Sequence, residues 1–261
     1  MILDFITWNV NPEIFDLGFI APRWYGLLFA SGFFFGYIMM LKFFKKEGVE
    51  EKVLDTLTTY MLVATVVGAR LGHVIFYDWA YYSKHLIEIL YVWQGGLASH
   101  GAAIGIRIAI YIFSKKEKRG YFWAMDRVLI VTAFAGVAIR TGNLMNSEIY
   151  GHITDLPWGF IFVRDGLTEP RHPTQIYEAL SYLAIFIYLI NYYYRKDGKT
   201  ADGYVMGMFM ILVFGMRFLI EFLKENQVAF EEGMILNMGQ ILSIPLVIGG
   251  VFLVMNSRKK A

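Results

Sequence analysis

The stretch WYGLLFASGFFFGYIMML, Trp24–Leu41, runs for 18 residues without a charged side chain. A helix rises 1.5 Å per residue, so roughly 20 apolar residues cross the hydrocarbon core of a bilayer. A second run, ILNMGQILSIPLVIGGVFLVM at Ile235–Met255, is uncharged for 21 residues. Two such segments predict a chain whose solvent is lipid. The composition of the 261 residues agrees: 57% are hydrophobic and 18% are charged, against roughly 25% charged in soluble domains.

Between these two runs lie weaker hydropathy peaks, each interrupted by one or two polar residues. The pattern predicts an all-α integral membrane protein, a single polytopic membrane domain over 1–261. About seven transmembrane helices are expected, near 20–41, 54–77, 97–114, 122–141, 173–194, 203–223 and 235–255. The count falls to six if 122–141 only re-enters the bilayer.

Basic residues sort by loop. Lys42, Lys45, Lys46, Lys52, Lys115, Lys116, Lys118, Arg119, Arg195, Lys196, Lys199, Arg258, Lys259 and Lys260 fall on one side, and only Lys84, Arg164, Arg171 and Lys224 on the other. The positive-inside rule then predicts an outer N-terminus and a cytoplasmic C-terminus. The N-terminus is acidic and proline-punctuated, unlike a cleavable signal peptide, so the first span is expected to stay on the protein. Stretches 78–96, 142–172 and 224–234 face outward, and the first, DWAYYSKHLIEILYVWQGG, has the aromatic content of an interfacial segment.

Several classes are excluded. A net charge of +2 without a large basic block does not describe a nucleic-acid surface. The absence of cysteine removes disulfides, thiolate metal sites and a cysteine nucleophile. The five histidines lie on separate segments without ligand spacing, so no metal is expected, and no Rossmann or P-loop glycine pattern calls for a cofactor.

Ionisable side chains inside spans are costly and are functional candidates by default. They are Arg70 and His73 in GARLGHVIFY, His100 in GGLASHGAAIG, Arg107, Asp126, Arg140, Glu178, and Arg217 with Glu221 in MRFLIEF. The topology puts Arg70, His100, Arg140, and Arg217 with Glu221 in the outer half, on four different helices. That predicts one polar cavity open to the outer leaflet. Arginines converging there describe an anion site, because a guanidinium offers fixed charge and forked donors that match phosphate oxygens.

Structural readings compete. Arg217 and Glu221 are four apart on one helical face and neutralise each other in the simplest account. Arg70 can snorkel or cap a helix, His73 reads as a hydrogen-bonded interfacial residue, and Asp126 can pair with Arg107. In RHPTQIYE, Arg171–Glu178, Pro173 suits a first helical turn, Thr174 or His172 can cap it, and Glu178 lies one turn in, where it can hold an arginine. IRTGNLMNSEIYG, Ile139–Gly151, is denser than a cap requires: Arg140, Asn143, Asn146 and Glu148 stand with Gly142 and Gly151. Glycine permits close backbone approach, and asparagine amides bind phosphate or glycerol hydroxyls.

Six phrases in order resemble the bacterial prolipoprotein diacylglyceryl transferase family: RWYGLLFASGF (23–33), GARLGHVIFYD (68–78), WQGGLASHGAAIG (93–105), RTGNLMNSEIYG (140–151), HPTQIYEAL (172–180) and RFLIEFLKE (217–225). The resemblance implies an enzyme of the bacterial cytoplasmic (inner) membrane with its active site facing the outer leaflet. It would move the diacylglyceryl group of phosphatidylglycerol to the lipobox cysteine thiol of a prolipoprotein signal peptide, and no cofactor is implied. The family's essential arginines match Arg140 and Arg217, its loop histidine His100, its N-terminal tyrosine Tyr25, and its signature asparagine, glutamate and glycine Asn143, Glu148 and Gly151. The chain departs from the usual pattern at Ile139, Leu144, Ser99 and the segment after Phe222, where Leu223, Lys224 and ENQ replace an arginine and PD.

That reaction has two barriers: a thiol of pKa near 8.5 must lose its proton, and charge building on the leaving phosphate must meet fixed donors. Arg140 and Arg217 are expected to take the second task, with Tyr25, Arg70, Asn143, Asn146, Glu148, Gly151 and Glu221 binding substrate. His100 is the expected base, with Glu148, Glu221 or water as alternatives. An organic-anion transporter and another phospholipid headgroup transferase are the competing functions. The first needs a polar path to both faces with repeats or broken helices, the second an aspartate cluster for metal.

Overall fold

The computed structural model describes residues 5–18, 21–226 and 231–260, without the side chains of 258–260. Residue 20 of the first expected span, 227–230 of the third outer stretch, and the side chains of Arg258, Lys259 and Lys260 therefore lie outside the described residues. In chain order the elements are β1 (Ile6–Trp8), α1 (Trp24–Lys46), α2 (Glu51–Phe76), the short α3 (Trp79–Tyr82), α4 (Ser99–Lys116), α5 (Tyr121–Met145), β2 (Phe160–Phe162), α6 (Thr174–Arg195), α7 (Tyr204–Ile220) and α8 (Met238–Lys260).

A long helix occupies each of the seven expected segments, and α5 is continuous over 25 residues where a re-entrant turn was the alternative. Five helical stretches, Trp24–Lys46, Glu51–Phe76, Tyr121–Met145, Tyr204–Leu223 and Met238–Ser257, are long and apolar enough to cross a membrane. Phe34, Ile248 and Phe252, inside α1 and α8, are 63–64% exposed. Large apolar side chains left open in the middle of helices are what lipid contact requires, since lipid satisfies them and water does not. The chain is a multi-pass helical membrane protein.

The fold divides into two compact units, residues 1–39 with 126–261 and residues 40–125. In the second, α2 and α4 cross through glycines spaced four apart. A Cβ on Gly72 would lie 2.6 Å from the Gly101 Cα, and one on Gly105 2.5 Å from the Ala64 carbonyl. Small residues on both faces let the backbones touch, the usual way helices associate where lipid gives no hydrophobic drive. Phe43, Phe44, Leu54, Leu57, Ile110 and Phe113 bury the near ends of this unit.

In the first unit, α1 meets α5 at Gly32 and Gly36, whose Cβ positions would lie 3.3 Å from the Ala135 Cβ and 2.7 Å from Val131. Helices α7 and α8 meet at Gly207 and Gly250 in the same manner. Asp126 of α5 is buried and accepts the Met206 N–H at 3.0 Å, satisfying one orphan donor of the first turn of α7. It is thus a structural anchor, while the Arg107 expected to pair with it belongs to the other unit.

The helices do not account for everything. β1 pairs in parallel with β2, Ile6 opposite Phe160 and Trp8 opposite Phe162, a small sheet the all-α expectation missed. Leu144, Phe160 and Phe162 form its core with Trp8 and Tyr150, and the Trp8 indole N–H donates to the Leu144 carbonyl at 2.9 Å. The stretch after Gly151 is thereby folded back onto the end of α5, which positions the residues described next.

Candidate active site

Five charged residues of the first unit form one connected chain. Arg140, near the end of α5, sets its Nε 2.8 Å from Glu178 Oε2 on α6. That contact is ionic, with Oε2 lacking an aligned donor. Glu178 Oε1 accepts from Lys224 Nζ at 3.0 Å, Lys224 reaches Glu221 Oε1 at 3.2 Å, and Arg217 Nε lies 3.3 Å from the same oxygen. The expected pairing of Arg217 with Glu221 is present, and so is the expected grip of Glu178 on an arginine. Charges thus alternate in sign from Arg140 to Arg217. A buried charge is tolerable when opposite charges flank it, and Glu178 and Lys224, 1% and 3% exposed, each stand between two residues of opposite sign.

Arg217 is the open end, its side chain 38% exposed against 15% for Arg140. Tyr182, one turn beyond Glu178, lies in the fields of both Arg140 and Arg217. Arg140 also donates to Asn143 Oδ1 at 3.1 Å, and Asn143 passes its amide N–H to Glu148 Oε1 at 2.8 Å, which Asn146 shares at 3.3 Å. The two asparagines expected to hold substrate thus also orient Arg140 and Glu148. Tyr25 packs on Gly142, where a Cβ would lie 2.8 Å from its ring, and it feels both Glu148 and Arg140.

Strain concentrates beside Glu148. Ser147 and Ile149 both have left-handed backbones, φ 57° and 62°, and for a β-branched isoleucine this is costly. Two fully buried side chains hold it: Thr174 donates to the Ile149 carbonyl at 2.8 Å and Gln175 to the Glu148 carbonyl at 2.6 Å. This corrects the capping role expected of Thr174 and His172. Pro173 is the N-cap residue, no side chain caps α6, and His172 Nδ1 instead meets the Tyr177 hydroxyl at 3.2 Å.

Gly151 is required by protein backbone. A Cβ there would collide with the Leu223 carbonyl, and the Gly151 and His152 amides bond His172 and Leu223, which seats Lys224 in the site. Around it, burial and the neighbouring His152 hold His172 below the ordinary histidine range, and burial with a hydrogen bond to Asp165 pushes Tyr150 up to about 12. Both are neutral at pH 7. Glu221 rests against Gly239 at the start of α8, and Asn237 donates to its Oε2 at 3.1 Å while exchanging capping bonds with Gln240.

Arg70 and His100 belong to the other unit. Arg70, 3% exposed, was expected among the substrate ligands, but its donors go to carbonyls: Nε to Ile89 at 2.9 Å, Nη1 to Gly95 at 2.7 Å, Nη2 to Glu88 at 2.5 Å, with the Tyr82 ring 4.8 Å from its Cζ. It braces the 86–96 segment. His73 stacks on Tyr77 and faces Tyr82, an aromatic contact where a hydrogen bond was expected. Its ring would lie 2.7 Å from a Cβ on Gly96, a residue already at φ 68°. His100, in the first turn of α4, has its imidazole 5.5 Å from Phe76 and 5.6 Å from Tyr77.

Sequence reading passed over Lys224 and Tyr182. Both follow a site carboxylate on the same face, Lys224 three after Glu221 and Tyr182 four after Glu178, but neither spacing says which way the face points. Among the described residues no group of histidine, cysteine and carboxylate side chains is arranged to hold a metal.

Fold and site together define a polytopic helical membrane protein with a largely buried ionic chain that ends in an arginine on either side. A family model described as prolipoprotein diacylglyceryl transferase matches residues 12–256. Proteins called phosphatidylglycerol-prolipoprotein diacylglyceryl transferase are 46% identical in Tolumonas auensis over 256 residues, 98% of each chain, and 43% identical in Chloroherpeton thalassium, over 98% of this chain and 96% of that one. The Vibrio cholerae protein of that name is 35% identical over 97% of this chain and 93% of its own. The chain belongs to the prolipoprotein diacylglyceryl transferase family.

Proposed function

We propose that this chain transfers the diacylglyceryl group of phosphatidylglycerol to the lipobox cysteine thiol of prolipoproteins, forming a thioether and releasing glycerol phosphate. The observation that carries the reading, beside the family match, is the pair of guanidinium groups on α5 and α7 held by one shared ionic chain. The transporter and headgroup-transferase alternatives find no support in relatives that carry the transferase name.

The thiolate sulfur attacks the glyceryl carbon, the S–C bond forms, and the C–O bond to phosphate breaks with its electron pair staying on oxygen. A phosphodiester monoanion thereby gains negative charge as the monoester departs. Arg217, the more exposed guanidinium, meets the phosphate from the open side, and Arg140 meets it from within. Donors already fixed by Glu178 and Asn143 need no reorganisation as the charge develops. Asn146 and Glu148 orient the glycerol. His100 is the proposed acceptor of the thiol proton, with Glu148, Glu221 or water as the alternatives.

The protein is read as one membrane domain of seven spans in the bacterial cytoplasmic membrane, N-terminus outside, C-terminus in the cytoplasm and active site at the outer leaflet. Both substrates then enter laterally from lipid. The test is intact mass spectrometry of a synthetic lipobox peptide incubated with the purified protein and phosphatidylglycerol vesicles, beside Arg140→Ala. A gain of one diacylglyceryl group on cysteine, absent with the variant, is expected; no gain from folded wild-type protein refutes the activity.

A further inference from the structure

Lys224 is the midpoint of the chain that joins the two arginines. Its side chain is 3% exposed, so phosphate does not reach it. Its ammonium lies 3.0 Å from Glu178 and 3.2 Å from Glu221, and each carboxylate holds one of the arginines. The backbone of Lys224 is clamped as well: it bridges Gly151, whose lack of a side chain permits that approach. Anchored main chain and two-sided ion pairing give the ammonium little freedom. Both carboxylates are therefore positioned from one point.

Removing that charge has a definite consequence. Glu178 and Glu221 would face each other in a dry site, where like charges repel and one takes up a proton. A carboxyl so neutralised no longer holds its arginine. With Lys224 in place, three cations alternate with two carboxylates along the chain from Arg140 to Arg217, so that each carboxylate stands between two cations.

We infer that Lys224 is a positioning residue that couples Arg140 to Arg217, so that the two guanidinium groups act on the phosphate as one unit. The inference rests on the transfer reaction proposed above. Energetic coupling is what a connected ionic network produces, and it appears as non-additive losses in a double-mutant cycle.

The experiment measures kcat and KM for phosphatidylglycerol with a fixed lipobox peptide. It uses Arg140→Lys, Arg217→Lys and their double variant, each with Lys224 and with Lys224→Met, plus Lys224→Arg alone. With Lys224 present, the double variant is expected to differ from the product of the single losses by at least about threefold. With Lys224→Met the losses become multiplicative and kcat falls at least about tenfold, while Lys224→Arg restores most of kcat. Multiplicative losses with Lys224 present overturn the coupling whether or not Lys224→Met folds. Coupling that persists unchanged in Lys224→Met overturns the assignment to Lys224. Wild-type protein that transfers nothing refutes the reaction itself, an outcome separate from either.

Discussion

Arg140 and Arg70 have the same side chain and opposite surroundings. Arg140 meets the side chains of Glu178, Asn143 and Tyr182, whereas Arg70 spends its donors on main-chain carbonyls. Arg140→Lys keeps charge and loses the fork. It is expected to lower kcat/KM at least tenfold, about 1.4 kcal/mol, while leaving the melting temperature in detergent nearly unchanged; unchanged turnover would rule out the forked role. Arg70→Leu removes the donors of three part-buried carbonyls and is expected to destabilise the fold by on the order of 2 kcal/mol. Limited proteolysis should then cut within 84–96; resistance equal to wild type would show that Arg70 braces nothing. Which residues carry charge into a span was plain in the sequence. What each charge touches was not, because a guanidinium in a span reads the same whether it faces a carboxylate or a loop carbonyl.

At the scale of helices, glycine sets the contacts. A Cβ on Gly101 would collide with the Gly68 carbonyl and lie 2.7 Å from the Gly72 Cα, both backbone, so α2 and α4 must part to admit it. Gly101→Ala is expected to cost about 1–3 kcal/mol in thermal or denaturant unfolding. Gly120→Ala, with its nearest neighbour at 3.8 Å, should stay within about 0.5 kcal/mol. Equal effects would mean that helix propensity, not close approach, decides. The helices themselves were legible from periodicity and length, with ends shifted by a few residues: α6 begins at Thr174 and α8 at Met238. The β1–β2 pair was not, since three-residue strands more than 150 positions apart carry no local signature distinguishing them from loop.

For the whole molecule, the absence of cysteine makes the orientation directly measurable, because any introduced thiol is the only one. Glu169→Cys and Lys199→Cys, both at exposed positions, should behave oppositely in intact cells. A membrane-impermeant maleimide is expected to label 169 at once and 199 only after permeabilisation; the reverse pattern would invert the topology. Sequence alone determined that the chain lives in lipid and where its long helices run. Lipid imposes that constraint residue by residue: each crossing needs about 20 consecutive apolar positions whatever the rest of the chain does. It also singled out the arginines, since charge in a span is conspicuous against apolar neighbours. Only the tertiary structure decided how those charges combine. Lys224 and Glu178 are 46 positions apart and meet only when α6 packs beside α7 and Gly151 draws the turn after Glu221 inward. A pairing made by packing leaves no trace in either local sequence, because each residue reads the same whether or not its partner arrives.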